Sequence, residues 1–590
     1  MAQNRRDMNP EYMWNLGDIF ADKAAWEDAM QKAEEQIAQV VAVQGTLGKS
    51  AEDLKRGLDA IYAAAQQANL VYLYAFLNLM GDNGDAEAQD MEARATRMMV
   101  NFSTETAFVN PEILSIDPEN LDAWMQKPEL SGYRHMIDDI ARARVHTLSE
   151  REERLLAMLG DAAGTPEKAF SMFDSVDVQF PDVAEGKPLT HALFGNYRED
   201  RSAAVRKDAF EKYFGEYKKH INTISALYAG SVKFDSYFAK VRNHAGALES
   251  ALFANNVPRR LYENLIECIH EAIPTLDRYL KLQKKLLGVE TLTLYDLYVP
   301  LVPDVDEEMP YEKAKELVKE ALKPMGEEYQ RLLDRAFNER WIDVYENAGK
   351  HPGAFSCGVY GVHPYVLLNH ANRLDNAFTL AHELGHCMHS WYSSQTQDFA
   401  NHDYSIFVAE VASTVNEVLL TRYLLAKEQN PRKRAYILNH LLEGFRTTVF
   451  RQTLFAEFEM KAHALYEQGQ PLTAQTLCGI YHDLNTTYYP AAQGSEYTDT
   501  EWARIPHFYT AFYVYQYATG FCSAVAIADR ILNHDGAKDY LKFLTTGGSM
   551  YPIDELKIAG VDLTDPQPIR SAMQVFADTV DEFTKLMSEE

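Results

Sequence analysis

Residues 382–386 read His-Glu-Leu-Gly-His. On a helix, positions four apart lie one above the other on a single face. His382 and His386 would therefore present two imidazoles to one ion. Neutral imidazole nitrogen is a ready ligand for zinc, and a catalytic zinc site uses three protein ligands and keeps a position for water. Glu383, one residue after the first imidazole, would flank the metal and take a proton from that water. In a chain with 18 histidines such a five-residue pattern arises by chance roughly one time in twenty. The flanks argue against chance: Phe378-Thr-Leu-Ala before and Cys387-Met after are apolar enough to bury the helix. A buried histidine pair without a partner would be expensive. Gly385 costs about 1 kcal/mol relative to Ala inside a helix, which points to close approach of substrate or of a neighbouring strand.

The pattern needs a third ligand, and three residues downstream could supply it. His389 shares the helix face three residues after His386, but three ligands on one straight helix converge poorly on a tetrahedral site. A metzincin needs glycine three residues after the second histidine and histidine three beyond that; His389 and Tyr392 stand there instead, so that class is excluded. His402 lies in the connecting loop and could reach. Glu410 lies in Phe407-Val-Ala-Glu-Val-Ala, on a second helix joined to the first by a short loop. A carboxylate between Val408-Ala409 and Val411-Ala412 is costly to bury without a cation, which favours Glu410. Glu417, two turns on, would either orient a ligand histidine or lie as a surface charge.

A further group of polar rings occupies 507–517, His-Phe-Tyr-Thr-Ala-Phe-Tyr-Val-Tyr-Gln-Tyr. Amide hydrolysis builds negative charge on the carbonyl oxygen, and hydrogen-bond donors aimed at it stabilise the transition state. His507, Tyr513 and Tyr517 are candidate donors, set against ordinary aromatic helix packing.

Helical periodicity dominates the elements that must position these residues. It covers 23–44, 51–68, 69–80 and 86–108, then resumes from 198 through 228–238, 259–287 and 311–337. Turn-rich punctuation falls at 110–120 and 160–166, β-prone runs at 176–180 and 189–194, and an acidic, proline-rich loop at 300–310. Glycines, aromatics and β-branched residues over 349–369 predict short strands with turns. Helices follow over 374–390 and 404–427, with Pro431 closing the second, and continue to the C-terminus with breaks at Gly547-Gly548 and 560–566.

At 590 residues the chain holds more than two domains' worth of material. Its formal net charge of −29 repels polyanions, which excludes nucleic acid and anionic membrane as partners. Five widely spaced cysteines with no CxxC pair argue against a disulfide framework and for a reducing compartment. The N-terminus lacks the apolar core of a signal peptide. The apolar stretches 70–80 and 508–528 read as buried helices, the first too short to span a bilayer and the second interrupted by Thr510, Gln516 and tyrosines. A soluble, cytoplasmic protein is the expectation.

Several segments together carry a family resemblance: Trp14-Asn-Leu-Gly-Asp-Ile-Phe, Tyr365-Val-Leu-Leu-Asn, Leu374-Asp-Asn-Ala-Phe-Thr-Leu-Ala-His-Glu-Leu-Gly-His, Tyr404-Ser-Ile-Phe-Val-Ala-Glu-Val-Ala-Ser-Thr-Val-Asn-Glu, Ile505-Pro-His-Phe-Tyr, Tyr517-Ala-Thr-Gly, Thr546-Gly-Gly-Ser-Met-Tyr-Pro and Ala559-Gly-Val-Asp-Leu. The chain resembles the thimet oligopeptidase family of zinc metallopeptidases, and within it the oligoendopeptidase F group, over nearly its whole length. The resemblance implies a mainly α, multi-helical, two-lobed fold with a small β-sheet near the active site and an enclosed central channel. It implies a helical N-terminal region over 1–115, an N-terminal oligopeptidase subdomain over 116–200 and a zinc metallopeptidase catalytic domain over 201–590. One zinc ion would be held by His382, His386 and Glu410, with Glu383 as general base. His507, and with it Tyr513 and Tyr517, would contact the scissile carbonyl, and the 358–369 segment would bind peptide backbone. Short peptides are the implied substrates, cut internally, and an oligomer is compatible with all of this.

Overall fold

Side-chain caps set where the first helices begin. Asp22, Ser50 and Asp85 each accept a hydrogen bond from a backbone N–H in the first turn of Lys23–Val40, Ala51–Gly81 and Ala86–Glu105, satisfying donors that have no partner within the helix. Alanines at Ala33, Ala68, Ala75 and Ala95 let these three helices approach closely, and Trp26, Ile37 and Met98 fill the space between them. The Trp26 indole N–H donates to the Val71 carbonyl at 2.9 Å, so the largest ring in this core is also satisfied.

The computed structural model describes residues 3–302 and 308–589, which are mainly α with one small sheet. Residues 303–307 of the proline-rich acidic segment lie outside the described residues. Among the described residues no helix is long and apolar enough to cross a membrane.

Contacts divide the chain into two units, each assembled from three separate segments. The first comprises Met1–Val145, Glu307–Tyr423 and Ile527–Val561. Its three strands are β1 (Ile342–Asp343), β2 (Phe355–Cys357) and β3 (Tyr365–Leu367), in the order β1-β3-β2. β3 is central, parallel to β1 and antiparallel to β2, with Ser356 opposite Val366. Tyr365 and Leu367 pack with Trp14, Leu73 and Leu77, which ties the sheet to the long Ala51–Gly81 helix.

The second unit comprises His146–Asp306, Leu424–Ala526 and Asp562–Glu590. The helix Arg259–Leu287 runs through it with Pro274 inside, and buries Tyr262, whose hydroxyl donates to the Ala456 carbonyl at 2.7 Å. Pro431–Gly444 continues through a wider helical turn, Phe445–Phe450, into Arg451–Glu467. Phe445 and Phe450 both pack on Phe576.

Several expected boundaries move. The segments 51–68 and 69–80 are one uninterrupted helix, because its apolar face simply rotates onto new partners. The β-prone runs are not strands. Phe173–Asp177 is helical, and Thr190 caps the helix His191–Glu199 by accepting from Leu193 N, so a local cap outweighs β-branched composition. The turn-rich stretches contain the short helices Val109–Ser115 and Pro118–Met125, and Thr165–Met172. Pro431 opens the following helix at its first position, with Asn430 as the cap; it does not close the preceding one. The 508–528 stretch is a short turn of helix, Pro506–Tyr509, then the start of Tyr515–Asn533.

Candidate metal centre

The motif lies on the helix Leu374–Thr396. Asn376 begins it, its side-chain oxygen accepting from the backbone N–H of Ala371 and of Arg373. Ala377, Phe378, Leu380, Ala381, Leu384, Cys387 and Met388 bury one broad face. His382 and His386 stand one turn apart on the other, with ring centroids separated by 4.9 Å.

The second helix, Ile406–Lys427, lies against the first because Gly385 has no side chain. A Cβ at Gly385 would stand 2.5 Å from both the Ala412 carbonyl oxygen and the Ser413 Cα. The close neighbour of this glycine is thus a helix backbone; it is not a strand. Asn416 reinforces the contact by donating to the Ala381 carbonyl at 3.0 Å and accepting from the Tyr329 hydroxyl at 3.2 Å. Asn416 went unnoticed in the sequence, where a lone amide within an apolar helix was its signal.

This approach brings Glu410 to the histidines. Its Oε2 lies 3.6 Å from His382 Nε2 and 3.7 Å from His386 Nε2. The three donor atoms all fall within 4.8 Å of one another. Ligand atoms each about 2.1 Å from one ion at the tetrahedral angle stand about 3.4 Å apart, so the spacing fits a small divalent metal. Two imidazoles and a carboxylate are also the donor set such a metal takes. The side chains are 17–39% exposed, which leaves the remaining position open to a ligand.

Glu417 holds His382 from behind, with Oε1 2.5 Å from Nδ1. Burial works against charge on His382, but this bond outweighs it and raises the imidazole to about 9. A bound cation reverses that preference. The same bond then fixes the proton on Nδ1 and leaves Nε2 to ligate. Burial, with His382 beside it, lowers His386 to about 4, the neutral form that a metal accepts. We expect Glu417→Ala to weaken metal binding by about 10–100-fold while leaving the fold intact; competition with a chromophoric chelator measures this, and unchanged affinity would remove Glu417 from the site.

Glu383 is 6% exposed, and its Oε2 has no hydrogen-bond partner among the described residues. Burial raises its carboxyl to about 7, against the opposing charge of His382 and with help from Glu410 and Glu417.

The other candidate ligands are placed elsewhere. His389 is fully buried and stacks face to face on Tyr404 with centroids 3.6 Å apart, which makes it a packing residue. His402 places Nδ1 2.7 Å from the Phe399 carbonyl and stacks on the Phe399 ring, so it shapes the loop. That loop is braced by the last segment of the unit: Thr396 Oγ1 and Gln397 Nε2 donate to the Thr545 carbonyl, and Gly548 N donates to Asn401 O at 2.8 Å.

Beside the motif helix, Gly358 approaches Ser390 so closely that a Cβ would meet it at 2.4 Å. β2 is at the sheet edge. A cavity of about 290 Å³ opens nearby, lined by Gly353, Asn369, Asn376 and Thr379, and Thr379 lies one turn before His382.

His507, Tyr513 and Tyr517 belong to the second unit and do cluster there. His507 is the second residue of the one-turn helix Pro506–Tyr509, which Pro506 opens. Its Nε2 is 3.4 Å from the Tyr517 hydroxyl, and its ring is 6.1 Å from that of Tyr513. Burial lowers the His507 pKa and favours the neutral imidazole. The backbone between them is held in an unusual conformation: Phe512 has φ of 57°, and its N–H donates to Glu459 Oε1 at 2.9 Å. Glu459 is fully buried, and burial pushes its carboxyl far above the usual range.

Comparisons with known proteins agree along the whole chain. Residues 196–575 match the model of peptidase family M3, and residues 112–180 match the oligopeptidase F model. Oligopeptidase PepF of Bacillus subtilis is 41% identical over 99% of this chain and 88% of its own. Group B oligopeptidase PepB of Streptococcus agalactiae is 36% identical over 100% of this chain and 99% of its own. The crystal structure of oligoendopeptidase-F from Enterococcus faecium superposes with a TM-score of 0.74 at 35% identity, over 96% of this chain and 100% of that one. A family model spanning most of the sequence and full-length relatives of this identity lead to one classification: the chain belongs to peptidase family M3 and is a metallopeptidase, a hydrolase of peptide bonds.

Proposed function

We propose that the chain is a zinc-dependent oligoendopeptidase that cuts internal bonds of short peptides. The observation that carries this reading is the convergence of His382, His386 and Glu410, with Glu383 buried one residue from the first of them. Zinc is the metal suited to two imidazoles and one carboxylate, and when bound it would polarise the peptide carbonyl and acidify a water.

The chain's own residues divide the rest of the work. Glu383 accepts a proton from the attacking water and returns it to the leaving amine as the C–N bond breaks. Glu417 keeps His382 oriented. His507, Tyr513 and Tyr517 are assigned to the carbonyl oxygen as hydrogen-bond donors. The strand within 358–369, β3, is paired on both sides and cannot add a peptide strand, so the backbone is assigned instead to the open β2 edge and the cavity beside it. The segments 1–115, 116–200 and 201–590 remain our proposed division into N-terminal helical region, oligopeptidase subdomain and catalytic domain. Five cysteines without a disulfide are consistent with the cytoplasm.

The test is digestion of an oligopeptide blocked at both ends, followed by mass spectrometry. Internal cuts are expected. They should disappear with a chelator and return with zinc. Turnover indifferent to chelation would overturn the metal reading, and release of terminal residues alone from unblocked peptides would overturn the endopeptidase reading.

A further inference from the structure

A small, partly open cavity in the second unit has walls that carry more positive than negative charge. It is lined by Arg198, Tyr298, Arg446, Arg451, Tyr489 and Glu501, among others. Arg446 is paired with Glu443, its Nη2 2.5 Å from Oε2, and Arg451 with Glu501 at 2.5 Å. Arg504 stands 4.0 Å from that same Glu501. Arg198 has no carboxylate partner among the described residues, and its Nε has no hydrogen-bond partner. Four guanidinium groups thus share two carboxylates in a protein whose overall charge is −29. Arg198 is part-buried, and its buried Nε without a partner carries a cost.

The phenol of Tyr298 reports the same imbalance. The Arg198 guanidinium lies 3.9 Å from its ring centroid and that of Arg446 lies 4.6 Å away. Burial alone would raise its pKa, yet Arg451, Arg198 and Arg446 outweigh burial and lower it.

Three guanidinium groups line the wall against one carboxylate, and two of the buried polar atoms there are unpartnered. Tyr489 is 3% exposed and its hydroxyl is without a partner, like Arg198 Nε. Glu501 is the one carboxylate lining the cavity among the described residues, and both its oxygens are engaged, one by Arg451 and the other by the Tyr481 hydroxyl at 2.8 Å. A water placed there could bond to the hydroxyl oxygens but would leave the surplus positive charge uncompensated. An anion compensates that charge and accepts from the unpartnered Arg198 Nε and Tyr489 hydroxyl. Size limits the choice further: the cavity measures about 20 Å³, little more than the roughly 10–15 Å³ that one water requires. Phosphate, sulfate or a peptide carboxylate with its chain would not enter.

We propose that this cavity is a binding site for a single monatomic anion of the halide class, chloride under ordinary conditions. Bound there, the anion accepts from Arg198 and Tyr489 and offsets the surplus guanidinium charge. It would brace the short helix Thr498–Arg504, which contributes Thr498 and Glu501 to the walls and leads directly into Ile505-Pro506-His507.

Two measurements on the full-length protein test this. Crystals soaked in bromide should show an anomalous peak inside the cavity. The thermal midpoint should be several degrees higher in chloride than in gluconate at equal ionic strength, because a ligand that binds only the folded state stabilises it. Arg198→Gln should abolish both effects, while Arg198→Lys, which keeps the charge, should retain part of each. Absence of the peak at saturating bromide, or equal midpoints in the two salts, overturns the proposal. If Arg198→Gln does not fold, the bromide experiment on the wild-type protein still decides.

Discussion

Glu383→Gln is expected to keep the metal and lose turnover, by a factor on the order of 10²–10⁴ in kcat, the range supplied by general acid–base catalysis. The amide has the shape of the carboxyl group, so the buried site at 6% exposure is neither emptied nor crowded. His382, His386 and Glu410 are untouched, and metal content should remain near one per chain. What disappears is a group that can take a proton from water and give it back. Stability should hold or rise, because burial already disfavours a charge on this carboxyl. Paired measurement of kcat and bound metal separates this outcome from simple loss of the site. Near-native turnover in the variant would remove Glu383 from the reaction.

Gly385→Ala is expected to destabilise the protein by several kcal/mol, although helix propensity alone predicts a gain of about 1 kcal/mol. The reason is geometric. The new methyl would stand 2.5 Å from the Ala412 oxygen and from the Ser413 Cα, and both are backbone atoms that no rotamer change can move. The two helices would have to separate. Glu410 and Glu417 sit on the displaced helix, so the ligand set would open and the bond to His382 would lengthen. Metal affinity should fall together with the denaturation midpoint. A variant that is stabilised and binds metal normally would show that the close helix contact is not what assembles the site.

The centre was legible because most of it is local. Two histidines and a glutamate on one turn of helix announce themselves by spacing, and Glu410 by its isolation among valines and alanines. That isolation already favoured Glu410 over His389 and His402; which helix lies against which was not legible, and Gly385 is the residue that records it. The small sheet was visible at β2 and β3, in a segment rich in glycines, aromatics and β-branched residues, but not at β1, two residues long and defined only by its pairing with β3. The 189–194 run read as a strand from composition, whereas a single threonine cap made it helical. The membership of the two units left no local signal, since it depends on contacts between segments hundreds of residues apart. The same holds for the arginine-lined cavity, whose residues come from four separate stretches of chain between Arg198 and Glu501.

The interleaving of those units has a consequence for synthesis. The ribosome delivers 382–417 well before it delivers Thr545 and Gly548, which brace the loop between the helices that carry His382, His386 and Glu410. The first unit closes only with Ile527–Val561, and the second only with Asp562–Glu590. Domains that are contiguous in sequence can fold in turn as they emerge; these cannot. A chain that stops short of these segments therefore holds His382, His386 and Glu410 without the contacts that brace the two helices carrying them.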